Sequence, residues 1–188
     1  MNAYDFVHLA LHAMGGEIKG KTKLQKTVYF LGLLSKMDGD LGFDAHFYGP
    51  YSADVAGAVQ RLRALGFADQ TSSSMGSVDS SGFEVARYDL ALTDEGRRMA
   101  EGKARANPTE WEKIKAAAER IKASKELDYM KLSIAAKTKF MLGKQKGPVP
   151  FDDLAEQAKG FGWSITRDEV REAAEFLASL GLVTIKSP

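Results

Sequence analysis

Residues 20–34 read GKTKLQKTVYFLGLL, residues 47–52 read FYGPYS, and the helical pattern that follows ends in LGF at residues 65–67. The first segment has the apolar spacing of a mostly buried helix whose basic first turns stay exposed. Ser52 suits the N-cap of the next helix, and Gly66 suits the left-handed position after that helix ends. The stretch therefore predicts a helix, a short turn, a second helix and a chain reversal, the layout of a helix-turn-helix core.

The composition limits the class of protein. The chain has 188 residues, enough for one large or two small domains, and its 26 basic and 25 acidic side chains nearly cancel. The absence of cysteine excludes disulfides, thiol chemistry and cysteine-based zinc sites. No apolar run reaches the ~20 residues that span a bilayer, and the N-terminus lacks the pattern of a secretory signal. We expect a soluble, cytoplasmic protein without a membrane partner.

Helical spacing before the central stretch predicts a first helix over residues 4–14, with Asn2 as its cap and two glycines as its stop. Residues 43–48 alternate loosely and predict a short strand. After the third helix, residues 67–72 and 83–92 predict two strands joined by a loose Ser- and Gly-rich tip at 72–82. A hairpin in that place is the wing of a winged helix. Thr93 is well placed to cap the helix that follows the second strand.

The second half of the chain reads as helices with marked breaks. Pro108 suits the start of a helix and Ser124 its interruption, while Thr166 and Glu169 form a capping-box pattern before the last helix. Residues 182–185 predict a terminal strand. The fold class is therefore mainly α with a small β wing (α+β), built from two winged-helix-like domains joined by helices. The divisions are a winged-helix-like domain at 1–100, a helical connector at 101–147 and a truncated helix-turn-helix-like domain at 148–188.

Two segments carry a family resemblance. Residues 22–26, TKLQK, precede an aromatic and aliphatic helix, and FYGPYS follows at 47–52. In these motifs the chain resembles the YwgA-like family and the related Panacea domain of prophage-associated, antitoxin-type proteins. The resemblance covers roughly the first half of the chain. It implies a helical, winged-helix-like protein with no known catalytic residues, some of whose relatives are antitoxins.

Residues 15–22 match the phosphate-binding loop pattern G-x-x-x-x-G-K-[ST]. Such a loop follows a buried parallel strand, whereas residues 4–14 have helical spacing. The pattern favours a glycine stop followed by a basic helix start, and a nucleotide-binding enzyme remains the weaker alternative. His8 and His12 share a helix face, but no second cluster of metal ligands accompanies them. We expect no catalytic residues, no metal and no cofactor, and therefore not an enzyme.

The basic residues of the central stretch suggest a binding surface. In a winged helix the third helix enters the major groove, where Arg and Gln read bases while Lys and Arg hold phosphates. The net charge is −2 over residues 1–100, +6 over 101–147 and −3 over 148–188, so most of the positive charge lies outside that helix. The candidate DNA- or partner-binding residues are Lys21, Lys23, Lys26, Ser52, Gln60, Arg61 and Arg63. In the DNA hypothesis, the three lysines contact phosphates, and Gln60 and the two arginines contact bases.

The alternative hypothesis is a protein partner, such as a toxin, recognised by the same domain without DNA. An apolar stripe on the connector, formed by Trp111, Ile114, Ala118 and Ile121, has two interpretations. It is either the core between the domains or the seam of a homodimer, because proteins that read DNA often pair through helices outside the core.

Overall fold

The computed structural model of the protein describes residues 1–78, 84–124 and 129–186. In this part of the chain, helices predominate and three short strands form one sheet. The mainly helical, α+β class predicted from the sequence is confirmed. The helices are α1 Ala3–Ala13, α2 Lys21–Ser35, α3 Ala53–Ala64, α4 Asp94–Ala106, α5 Pro108–Ala123, α6 Tyr129–Leu142, α7 Phe151–Gly160 and α8 Arg167–Ser179. The strands are β1 Glu17–Lys19, β2 Ala68–Val78 and β3 Glu84–Leu92.

The sheet has the order β1-β3-β2, and both pairings are antiparallel. Leu90 of β3 is the partner of Ile18 on one side and of Gln70 on the other. The prediction missed β1 because three residues carry no measurable alternation, and its place depends on a partner strand about 70 residues later. The hairpin after the third helix is confirmed. The predicted loose tip is wrong for residues 72–78, which belong to β2, and residues 79–83 lie outside the described part.

Helix α2 lies at the centre of the molecule. One apolar cluster packs it against α1, α3, the sheet and α5, with Phe6, Val28, Leu62 and Ile114 at zero exposure. On another face its aromatic residues join a second cluster with α6 and α8, including Leu132, Ala136 and Leu177. A third cluster around Trp163 packs α6 against α7 and α8. The C-terminal helices therefore rest on α2 and on each other.

Most helix ends follow the sequence prediction. The side chains of Asn2, Ser52 and Thr93 accept hydrogen bonds from the first turns of α1, α3 and α4. Pro108 begins α5, which ends before Ser124, and the capping box of Thr166 and Glu169 is formed. These signals were readable because each cap acts within four residues of itself.

Two predicted strands are wrong. Residues 43–48 form only an isolated antiparallel bridge between Asp44 and Tyr51. The carbonyl oxygens of His46 and Tyr48 accept from the side chains of Trp163 and Ser133 instead of from a strand. The predicted terminal strand at 182–185 is not formed, because residues 183–186 have no regular secondary structure. No strand therefore follows the C-terminal helices within the described residues. The stripe on α5 packs on α1 and α2 in the same chain, which leaves Ile114 and Ala118 unavailable for a dimer seam.

No helix in the described ranges is both long enough and apolar enough to cross a bilayer.

Candidate functional site

The two motif segments of the sequence are bound to each other. Gln25 Nε2 donates to the carbonyl oxygen of Ser52 at 3.0 Å, and the Ser52 N–H donates back to Gln25 Oε1 at 3.0 Å. Gln25 is 5% exposed and Ser52 is fully buried. The side-chain amide thus satisfies both backbone groups of Ser52, as a neighbouring strand would. This pair fixes the start of α3 relative to α2.

Lys26 holds the next part of the same loop. Its Nζ donates to the Pro50 carbonyl oxygen at 2.7 Å, and the side chain is only 2% exposed. It forms no ion pair with any residue that the structure describes. Burial, together with the smaller effect of the Lys137 charge, lowers the pKa of Lys26 to about 8. A buried ammonium group without a counter-ion is costly, so the surroundings must supply a compensating dipole or anion.

Two more hydrogen bonds tie the loop to the C-terminal helices. Ser133 Oγ donates to the Tyr48 carbonyl oxygen at 2.6 Å, and Trp163 Nε1 donates to the His46 carbonyl oxygen at 2.8 Å. The loop is therefore bonded on both sides although it has no regular structure. Its aromatic side chains nevertheless remain accessible, since Phe47 is 67% exposed and Tyr48 is 56% exposed.

Next to this loop is a cleft of about 320 Å³, a volume within the range of small-molecule sites. Its walls are the first turns of α2, one face of α3, the sheet, and the loop of residues 46–51. From α3 it takes four residues at the i, i+3, i+4 and i+7 positions of one face. The lining residues are Gly20, Lys21, Thr22, Leu24, Gln25, Lys26, His46, Tyr48, Tyr51, Ala56, Val59, Gln60, Arg63, Gln70, Tyr88 and Leu90. We call this space the α2–α3 cleft.

The α2–α3 cleft is electropositive. Lys21, Lys26 and Arg63 line it, and no Asp or Glu of the described residues does. The Nζ atom of Lys21 lies 4.0 Å from the centre of the Tyr88 ring, a cation–π distance. Asp89 follows Tyr88 on β3, but its carboxylate is held by Arg87, with Nε 2.8 Å from Oδ1. The Asp89 carboxylate is therefore already paired with Arg87.

The start of α2 adds to this positive potential. The residue before the helix is Gly20, with a φ of 91°, and it offers no side chain to the N–H groups of the first turn. The first turn also has no acidic residue. By contrast, α3 begins with the Ser52 cap and Asp54, as helix dipoles favour. The start of α2 therefore places N–H groups without a side-chain cap and the Lys21 charge in the same region.

The structure brings together only part of the predicted site. Lys21, Gln60 and Arg63 line the α2–α3 cleft and are all exposed. Arg61 instead stacks on the other side of α3, where its guanidinium lies 4.6 Å from the centre of the Tyr4 ring. Lys23 lines a separate recess beside α5. A side chain one or two positions along a helix points 100° or 200° away, which explains both separations.

Two predicted binding residues are buried and therefore not part of the surface. Lys26 was expected to hold phosphate at the surface, but it is buried under the loop with its ammonium group on Pro50. Ser52 is buried as the cap of α3, where its Oγ accepts from the Val55 N–H at 3.0 Å. Lys26 holds the loop and Ser52 holds the start of α3, both from below the surface of the site. We therefore leave them out of the surface that contacts a partner.

Sequence reasoning missed the contribution of Gln25, Gln70 and three tyrosines. The spacing of Ala56, Val59, Gln60 and Arg63 was a readable signal, because these positions share one helix face. No local signal indicated that the sheet and the loop would close the same cleft. That arrangement depends on contacts between distant segments.

The phosphate-loop match lies between two helices. Helix α1 precedes it, and strand β1 occupies its middle, so its glycines do not form the single loop between a strand and a helix that the pattern requires. His8 is fully buried, with Nε2 2.8 Å from the Gly96 carbonyl oxygen, and burial lowers its pKa. Residues 1–78, 84–124 and 129–186 contain no group of three or more His, Asp or Glu side chains placed to hold a metal ion.

Comparison with known proteins gives a partial match. The chain is similar to the uncharacterized protein YwgA of Bacillus subtilis (strain 168), with 36% identity over 80 residues. These residues are 42% of this chain and 43% of YwgA, so the match spans less than half of either protein. No protein-family model matches the chain. The match supports a YwgA-like relationship for part of the chain.

Proposed function

We propose that the protein is a non-enzymatic regulatory binding module of the winged-helix type, and that it contacts duplex DNA. The order α1-β1-α2-α3-β2-β3, with a hairpin directly after the third helix, supports the winged-helix assignment. The observation that carries the DNA proposal is the exposed group of Lys21, Gln60 and Arg63 in a cleft that, in the described part of the chain, no acidic residue lines. Gln and Arg are side chains that read base edges, and Lys holds phosphate.

A salt titration with a labelled duplex tests the proposal. We expect affinity at low salt to fall as salt rises, and Arg63→Ala to weaken binding and reduce the slope of log K against log salt by up to about 0.9. Arg61→Ala is the matched control, because it removes the same charge from the other side of α3. No binding at low salt, or equal effects of the two substitutions, would contradict the proposal.

A second candidate is recognition of a protein, such as the toxin that the Panacea resemblance suggests. The observation in its favour is the pair of exposed aromatic side chains, Phe47 and Tyr48, on a loop bonded from both sides. Rigid aromatic anchors beside arginine are typical of interface hot spots.

Pull-down from native lysate distinguishes the two candidates. A stoichiometric protein partner that persists after nuclease treatment and is lost in Phe47→Ala with Tyr48→Ala would favour protein recognition. Capture that requires nucleic acid and survives these substitutions would favour DNA.

A further inference from the structure

The α2–α3 cleft combines three features that a flat nucleic-acid surface does not need. It is concave, it has an apolar base formed by Leu24, Val59 and Leu90, and tyrosine side chains line its walls. Its volume of about 320 Å³ is that of a small-molecule site. Polar side chains over an apolar base are the usual composition of pockets that orient one ligand.

The charges in the cleft have no acidic partner among the residues that the structure describes. Lys21, Lys26 and Arg63 form no ion pair with a described residue, although 25 acidic residues are present in the sequence. Lys26 uses one of its three N–H donors on Pro50 and is 2% exposed, so solvent compensates its charge poorly. The first turn of α2 adds N–H groups without a side-chain cap. An anion in the cleft would compensate the charges of Lys21 and Arg63 and accept from the N–H groups of the first turn, while it offsets the buried Lys26 charge from a distance.

We propose that the α2–α3 cleft binds a small organic anion that carries a planar ring, of the nucleoside monophosphate class. The phosphate lies at the first turn of α2 beside Lys21 and within reach of Arg63. The ring lies over the apolar base, among Tyr48, Tyr51 and Tyr88, where stacking on tyrosine is favourable. The side chains of Gln60 and Gln70 supply donors and acceptors for the polar edge of the ring.

Such a ligand would regulate the proposed DNA contact, because Gln60 and Arg63 belong to both surfaces. Occupation of the cleft removes these two side chains from the groove-facing side of α3. The ligand and the duplex therefore compete. The small-molecule site itself does not depend on DNA binding, so each proposal can fail without the other.

Isothermal titration calorimetry with the full chain tests the site. The probes are adenosine monophosphate and guanosine monophosphate, with adenosine as the ring alone and inorganic phosphate as the anion alone. We expect at least one nucleotide to bind with Kd below about 1 mM and at least about tenfold more tightly than either fragment. Lys21→Gln combined with Arg63→Gln should weaken that binding by at least about tenfold, while Arg61→Gln should leave it unchanged.

Three results would overturn the proposal. They are no binding of either nucleotide at millimolar concentration, equal affinity for phosphate alone, and equal weakening by Arg61→Gln. All of the substituted residues are exposed, and a thermal melt of each variant verifies that it is folded.

Discussion

The hydrogen-bonded pair of Gln25 and Ser52 predicts a large effect of one substitution. Gln25→Ala removes two buried hydrogen bonds and leaves the Ser52 N–H without a partner, whereas the Ser52 carbonyl oxygen still accepts from the Ala56 N–H at 3.2 Å. A stranded buried group costs about 1–3 kcal/mol, and the hydrogen bond lost at the carbonyl contributes about 1 kcal/mol net. Partial relaxation of the loop reduces the sum, so we expect a loss of roughly 1–3 kcal/mol in the free energy of unfolding. A domain with a stability of about 5–15 kcal/mol remains folded after such a loss.

Urea unfolding measures this loss, as a lower midpoint at an unchanged slope. Gln60→Ala is the matched control, because Gln60 is exposed on α3 and its truncation should change stability by less than about 0.5 kcal/mol. Amide exchange gives a local readout, in which the Ser52 N–H should exchange faster in Gln25→Ala at the same temperature. If Gln25→Ala were as stable as Gln60→Ala, the two motif segments would not hold each other in solution.

Three further predictions concern stability. Gly96→Ala should lower the free energy of unfolding by about 3 kcal/mol or more, because a Cβ atom there would lie 1.9 Å from the Phe67 carbonyl oxygen. Gly102→Ala in the same helix is the control, since its Cβ atom would meet nothing within 4 Å. It should raise the free energy of unfolding by about 0.5–1 kcal/mol in thermal or urea unfolding. Burial lowers the pKa of His8 below 6.5, so below that pH the unfolded state binds more protons than the folded state. The free energy of unfolding should therefore fall as pH decreases below 6.5. In a melting series from pH 8 to 5, the melting temperature of His8→Gln should fall less than that of the unsubstituted protein. Folding lowers the pKa of Lys26 from 10.5 to about 8, so between these pH values the unfolded state binds more protons than the folded state. We therefore expect the titration of Lys26 to reduce the free energy of unfolding by roughly 2–3 kcal/mol as pH decreases from 10.5 to 8. Lys26→Met should lack that component in urea unfolding at the two pH values, and an unchanged pH dependence would contradict the account.

Much of the fold was predictable because its signals are local. The apolar spacing of α1, α2 and α3 and the caps at Asn2, Ser52 and Thr93 each act within one helix, and the structure confirms them. Strand β1 was not predictable, since only its pairing with β3 makes it a strand. The false strand at residues 43–48 shows the reverse case. Its alternation is real, but its carbonyl oxygens at His46 and Tyr48 accept from side chains in the distant C-terminal half of the chain.

The candidate site was predictable only in part. Helix geometry alone places Gln60 with Arg63 and away from Arg61, so that division could have been made from the sequence. The burial of Lys26 could not, because lysine is almost always exposed unless it is paired. Lys26 is buried because it bonds to Pro50, 24 residues later in the chain. Gln25 likewise bonds to a residue far along the chain, Ser52.

Backbone chemical-shift mapping with a short duplex at low salt most directly tests whether the α2–α3 cleft is the DNA-contacting surface. We expect the largest changes at Lys21, Gln60, Arg63 and Tyr88, with little change at Tyr4 on the opposite side of α3. Changes centred on Tyr4 and α1, or no changes at any duplex concentration, would contradict this expectation.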